Sequence, residues 1–250
     1  MKQSIFTITE NRKLAEGIYR MQFSGDVSEI SAAGQFVNIR LNGHFLRRPI
    51  SICDVGEDSF TIIYKVLGHG TEEMTQLPCG TELDILTGLG NGYDLSKAGD
   101  RPLLIGGGVG IPPMYLAARK LIGSGKQVTV ILGFNGQSDA FYVDEFIALG
   151  CDVIATFAKG DLPEIDNVKT VKGFVTDAMP EVDHSYFYCC GPEAMLKAVY
   201  KASSTSGQFS FEERMGCGFG ACMGCSCRTV TGYKRICKDG PVLEKEELLW

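Results

Sequence analysis

Pro102-Leu-Leu-Ile-Gly106-Gly-Gly-Val-Gly110-Ile-Pro-Pro113 runs from a compact apolar stretch through a glycine turn into two prolines. Such an apolar stretch reads as a buried parallel strand, and Pro112 suits the first turn of a helix. Met114, Ala117, Ala118 and Leu121 follow at helical spacing until Gly123-Ser-Gly125 stops the helix. A glycine turn between strand and helix is where a pyrophosphate reaches backbone amides at a helix N-terminus. Ile111 stands where G-x-G-x-x-G has its last glycine, so the turn alone leaves two readings open: nucleotide binding, or a merely tight connection. Cys190-Gly191-Pro192-Glu-Ala-Met195, again at a strand end opening a helix, favours the nucleotide.

Outward from this stretch, 127–132, 152–157 and 185–190 read as further strands, with helices near 143–149 and 192–201. Strands alternating with helices predict a parallel sheet covered on both faces. Upstream the pattern differs. Ile5–Thr9, Ile18–Phe23, Phe36–Leu41, Ile50–Asp54, Phe60–Val66 and Glu82–Leu86 are short, evenly spaced β-rich runs, as in a barrel or sandwich. Downstream, Ser203-Ser-Thr-Ser-Gly207 reads as a linker into a tail too short for its own apolar core. The expected division is a β-barrel over 1–98, an α/β nucleotide-binding domain over 99–206 and a small third unit over 207–250.

The tail carries five of the ten cysteines. Cys217-x4-Cys222-x2-Cys225-x11-Cys237 has the spacing of plant-type 2Fe–2S ferredoxins: three ligands on one loop and a fourth returning from elsewhere. Interleaved glycines let such a loop wrap closely and offer amides to the sulfurs. The competing reading is a structural zinc site, but zinc ribbons present two Cys-x2–4-Cys knuckles and here there is one. Cys227 is read as a buried non-ligand, and Cys53, Cys79, Cys151 and Cys189 as structural. His44, His69 and His184 show no ligand spacing and read as surface or packing residues.

The net charge of −6 argues against a broad basic surface for nucleic acid. No apolar run is long enough to span a membrane, and the N-terminus lacks the apolar core of a signal peptide, so a cytoplasmic chain is expected. Between Lys126 and Lys159 there is no Lys or Arg to meet a 2′-phosphate, whereas Asp139, Asp144, Glu145 and Asp152 are present. NAD(H) is therefore expected over NADP(H).

Taken in order, these motifs resemble the ferredoxin–NADP reductase superfamily. Arg48-Pro-Ile-Ser51 is similar to its R-x-x-S flavin motif and Gly70-Thr71 to the motif that holds the flavin phosphates. Gly106–Pro113 and Cys190-Gly-Pro192 are similar to its nicotinamide motifs. More narrowly, the tail with Gly-Tyr-Lys-Arg-Ile-Cys237-Lys-Asp-Gly-Pro resembles the electron-transfer subunits of type B, NAD-dependent dihydroorotate dehydrogenases. The resemblance covers essentially the whole chain. One departure is Thr87-Gly88, where relatives often carry Gly-Pro.

The resemblance implies an FAD-binding barrel, an NAD-binding α/β domain and a cluster domain. Arg48 would pair with the FAD pyrophosphate, Pro49 and Ile50 would line the flavin, and Ser51 would reach its reactive region. Ile63, Tyr64 and Lys65 would contact FAD, and Gly70 and Thr71 its phosphates. Gly106, Gly107, Gly108, Gly110, Gly191 and Pro192 would bind an exchanging NAD(H), with Cys190 near the nicotinamide. Cys217, Cys222, Cys225 and Cys237 would hold the 2Fe–2S cluster. The implied partner is an FMN-containing catalytic subunit that oxidises dihydroorotate, in a heterotetramer of two of each, with Lys234, Arg235 and Lys238 either rim contacts or a solvated basic loop. Two other readings remain: an electron-bifurcating or sulfide-dehydrogenase-type NAD(P) oxidoreductase subunit, and a zinc-stapled interaction module.

Overall fold

A computed structural model describes all 250 residues. The first six strands are β1 (Lys2–Ala15), β2 (Ile18–Ser24), β3 (Phe36–Ile39), β4 (Arg48–Val55), β5 (Ser59–Lys65) and β6 (Glu82–Leu89). They close into a barrel in the order β1-β2-β5-β4-β3-β6. Alternation explains the closure: Phe6 and Ile8, Met21 and Phe23, and Val37 and Ile39 each send their side chains into one buried core. A short helix, α1 (His69–Met74), interrupts the walk between β5 and β6. No apolar periodicity announced it, because of its six residues only Gly70 and Met74 are buried.

Beyond the barrel follow β7 (Pro102–Gly107), α2 (Ile111–Gly123), β8 (Thr129–Phe134), α3 (Val143–Ala148), β9 (Asp152–Phe157), β10 (Val168–Lys172), α4 (Val175–Ala178), β11 (Tyr186–Cys190) and α5 (Glu193–Ala202). The chain closes with β12 (Gly207–Ser210), β13 (Ser226–Thr229), β14 (Gly232–Arg235) and β15 (Val242–Glu244). The larger sheet runs β10-β9-β8-β7-β11-β12-β15, parallel except at the β12–β15 edge. From β7 the chain builds outward to β8 on one side and to β11 on the other. The order therefore reverses between β7 and β11, and open α/β sheets bind ligands at such a reversal, beyond the carboxyl ends of the strands.

The sheet crosses the boundary expected at 206. β12 pairs in parallel with β11, and β15 closes antiparallel on β12, so the stretch that reads as a linker leads straight into a buried strand. Four residues with a single large apolar side chain, Phe209, carry too little signal to be distinguished from a linker. The remainder of the tail, with the hairpin β13–β14, is an excursion between these two strands.

Barrel and sheet are joined by polar contacts as well as packing. Arg119 on α2 donates from Nη2 to the Val55 carbonyl at 2.6 Å and pairs with Asp54 on β4 at 2.9 Å. Tyr93 donates its hydroxyl to the Cys189 carbonyl at 3.2 Å, and Tyr188 to the Asp94 carbonyl at 3.0 Å. Asn91 holds the tail, donating from Nδ2 to the Val242 carbonyl at 2.8 Å and accepting from its amide at 3.1 Å.

Candidate functional site

The two flavin motifs meet in space. A Cβ built on Gly70 would lie 2.2 Å from Arg48 Nε, so only glycine admits the guanidinium over the start of α1. Arg48 contacts His44 Nδ1 at 2.7 Å through Nη2, and His44 Nε2 reaches Glu73 at 2.8 Å. His44, expected as a surface or packing residue, thus helps to orient Arg48. The neighbouring Arg47 is already committed, forked onto both carboxylate oxygens of Asp84 at 3.0 Å. Arg48 has no carboxylate among its partners, which leaves a cation suited to a diphosphate. Thr71 turns its hydroxyl inward, accepting from the Leu67 amide at 2.9 Å and donating to the Gly68 carbonyl at 3.0 Å. It shapes the loop.

Pro49, Ile50 and Ser51 lie half-buried on β4, with Pro49 opposite Asn38 and Ser51 opposite Phe36 on β3. Tyr64 is 1% exposed in the barrel core, its ring stacked on Tyr19. Ile63 is buried and Lys65 exposed at the end of the same strand.

The nicotinamide motifs are also neighbours. β7 and β11 pair in register with Gly106 opposite Cys190, so both turns begin at the same level of the sheet. A Cβ on Gly110 would sit 2.2 Å from the Cys190 carbonyl oxygen, and one on Gly107 2.4 Å from Met195 Sδ. The backbones therefore touch directly. Gly108 differs: its φ of +52° is left-handed and nothing lies within 4 Å of its Cβ position, so it faces open space at the mouth of the crevice. Gly191 packs on Met195 and Pro192 caps α5. Burial pushes the Cys190 thiol up to about 12 although the Ser210 hydroxyl opposes this, so it stays protonated at neutral pH. Lys159 lies outside the cation-free stretch in sequence but not in space: its amide donates to the Asn135 carbonyl at 2.7 Å, beside the loop after β8.

In the tail the four candidate ligands fall into two pairs, Cys217 with Cys222 and Cys225 with Cys237. Two pairs suit the two irons of a 2Fe–2S cluster, each iron taking two thiolates. Backbone amides supply the rest of the fit. Ala221 donates to Cys217 Sγ at 3.2 Å and Cys237 to Cys225 Sγ at 3.3 Å. Burial raises the Cys217 thiol, but amides from Cys222, Phe219 and Ala221 outweigh it and lower it, while burial and the Cys225 thiol push Cys237 the other way. A thiolate is the form iron binds. Gly218 and Gly220 take φ of +79° and +90°, turns that few other residues allow.

Cys227 stands outside both pairs, half-buried on β13 opposite Lys234 rather than fully buried. Of the basic residues, Lys234 pairs with Glu247, and Arg235 forks onto Asp239 at 2.9 and 3.0 Å. They brace the loop. Sequence reading missed Asn38, a buried amide on β3 that reaches the Cys217 carbonyl at 3.3 Å.

Comparison with known proteins agrees with this geometry. Residues 212–249 match the family model for the iron–sulfur cluster binding domain of dihydroorotate dehydrogenase B, and 104–201 that for an oxidoreductase NAD-binding domain. A dihydroorotate dehydrogenase B (NAD(+)) electron transfer subunit of Fusobacterium nucleatum subsp. nucleatum is 41% identical, covering 97% of this chain and 96% of its own. Among solved structures, an NADH-dependent reduced ferredoxin–NADP oxidoreductase studied for flavin-based electron bifurcation superposes with a TM-score of 0.88 at 28% identity, covering 99% of this chain and 90% of that one. A ferredoxin NADP+ reductase from Neisseria gonorrhoeae with bound FAD and NADP shares the fold, with a TM-score of 0.69 at 14% identity over 81% of this chain and 90% of its own.

Proposed function

The chain belongs to the electron transfer subunits of dihydroorotate dehydrogenase B (NAD(+)), and on that footing we propose that it relays electrons from a separate FMN-bearing subunit, which oxidises dihydroorotate, to NAD+. A bound FAD would supply hydride exchange with the nicotinamide and one-electron exchange with a 2Fe–2S cluster. This chain's own residues bind and orient those groups. Arg48, held by His44 over Gly70, neutralises the flavin diphosphate. Pro49, Ile50 and Ser51 line the flavin, with Ile63 and the end of β5 behind them. Gly106, Gly107, Gly108 and Gly110 let the NAD(H) diphosphate approach the turn before α2, while Gly191 and Pro192 shape the opposite wall. Cys190, kept as a thiol, orients the nicotinamide by contact and hydrogen bonding and is no nucleophile. Cys217, Cys222, Cys225 and Cys237 hold the irons.

What supports this most is that stretches remote in sequence lie side by side. The Gly110 turn packs on Cys190–Gly191, and the Cys217 turn abuts β3, next to β4. The same placement supports a division into a flavin unit (1–98), a nicotinamide unit (99–206) and a cluster unit (207–250), with β12 and β15 completing the sheet of the second. A heterotetramer of two chains of each kind and a cytoplasmic location complete the reading; no helix is long and apolar enough to cross a membrane. A bifurcating role has the structural likeness behind it, but the relative of 41% identity weighs more than the neighbour of 28%.

The test is an assay of the isolated chain with dihydroorotate and NAD+, repeated after adding the FMN subunit. Activity is expected only in the second case, whereas NADH alone should bleach the flavin in both. Turnover without the partner would overturn the reading.

A further inference from the structure

Strand β3 divides its residues between two surfaces. Val37 and Ile39 enter the barrel core, whereas Phe36 joins the apolar cluster that includes Cys225 and Cys237. Asn38 is directly opposite Pro49 on β4, and Phe36 directly opposite Ser51. Residues paired across neighbouring strands share a face of the sheet. Asn38 therefore stands on the wall that carries Pro49 and Ser51, and it is 1% exposed.

Its two polar ends fare differently. Nδ2 donates to the Cys217 carbonyl at 3.3 Å, a contact spanning 179 positions in sequence. A carbonyl only accepts, so the nitrogen must face it, and this settles which way the amide points. Oδ1 is then left buried without a partner. Leaving a buried acceptor unpaired is costly, so an apolar residue would serve better if packing were the only demand. The turn conforms to the amide: a Cβ on Gly218 would fall 2.4 Å from Asn38 Nδ2. The strand is braced from the other side, since Arg47 donates to the Asn38 carbonyl at 3.3 Å while forked onto Asp84.

We propose that Asn38 is a positioning residue that fixes the Cys217 turn against the flavin wall, and so sets how fast electrons pass between flavin and cluster without taking part in hydride transfer. The inference rests on the proposed function and specifies one junction within it. In the reaction used to test it, NADH and a proton reduce FAD by two electrons. One of these then reduces a ferric iron of the cluster to ferrous, and the other stays on the flavin.

The experiment is stopped-flow reduction of the full chain, loaded with FAD and cluster, by NADH. Flavin bleaching and cluster bleaching are followed as separate phases. Asn38→Leu and Asn38→Ala remove the donor, and Asn38→Ser shortens it beyond reach of the Cys217 carbonyl. Iron content and the flavin phase should match the unaltered chain within twofold, while the cluster phase slows at least tenfold. Equal slowing of both phases, or an unchanged cluster phase, would overturn the proposal. So would loss of iron from all three variants, which would make the contact part of the loop's architecture. Failure of the unaltered chain to bleach its flavin with NADH would instead strike the proposed function itself.

Discussion

The nicotinamide crevice and the cluster turn are both glycine-rich, but their glycines meet different neighbours. In the crevice, Gly106, Gly107 and Gly110 are there because neighbouring chain leaves no room: Cβ positions fall 2.9, 2.4 and 2.2 Å from Ile111, Met195 and Cys190. That site is fixed by a buried parallel sheet. In the cluster turn, Gly218 and Gly220 are left-handed and crowded by side chains, 2.4 Å from Asn38 Nδ2 and 2.5 Å from Lys238 Cδ, and the turn is held by a few amide–sulfur contacts and the Arg235–Asp239 brace. A sheet sets the first site; a loop with little packing sets the second, which makes the second the more dependent on what its thiols bind.

The largest expected effect follows from that contrast. Serine at Cys217, Cys222, Cys225 or Cys237 should abolish or strongly alter the iron–sulfur absorption, and intact visible spectra in any of the four would break the assignment. Next comes Gly110→Ala, whose new methyl meets the Cys190 carbonyl. Flavin reduction by NADH should fall on the order of 100-fold, the scale of a misplacement near 1 Å, with the cluster spectrum unchanged. A comparable cluster loss would mean that the two regions are not independent.

A smaller effect concerns the nucleotide. NADH should outperform NADPH by about tenfold or more in second-order flavin bleaching, the scale of one missing charged contact. Equal rates that fall selectively for NADPH in Lys159→Ala would give that lysine the 2′-phosphate. Smaller again is Glu244→Gln at the shared sheet edge. Burial opposes its charge, but Lys97 at 2.6 Å, Tyr186 at 2.7 Å and Gln208 at 2.8 Å lower the carboxyl's pKa. A lowered folded pKa stabilises above the ordinary value near ~4.3, and this is lost as pH falls below it. The substitution should cost about 1 kcal/mol at neutral pH, read by thermal unfolding, with the difference shrinking in acid. Smallest is Cys227→Ser, which should leave the cluster spectrum intact.

Sequence legibility followed the physical range of each signal. The six barrel strands show themselves because alternation is local, and the cluster ligands because iron demands four thiols at set spacing. The β12 and β15 strands do not, since three or four residues such as Gly207–Ser210 carry no period. α1 is too polar to show a stripe. In the site, Arg48 and Gly70 were legible as motifs, but the steric reason that joins them exists only in the fold. Asn38 was hidden for a different reason. In Phe36-Val-Asn-Ile39 it looks like one polar residue in a buried strand, and its partner lies in another unit. The contacts of His44 with Arg48 and Glu73 are invisible for the same reason, since Glu73 is distant in the chain and close in space.

The attachment of the tail has a dynamic consequence. The segment carrying the irons leaves from β12 and returns at β15, two strands bonded to each other along one edge, and Asn91 pins its returning end to the barrel. An insertion clamped at both ends is not a tethered shuttle. A carrier on a flexible leash must swing between donor and acceptor, so its turnover slows as the medium thickens. Here the conductor is soldered in place, and electron flow between flavin and cluster should be indifferent to added glycerol or sucrose.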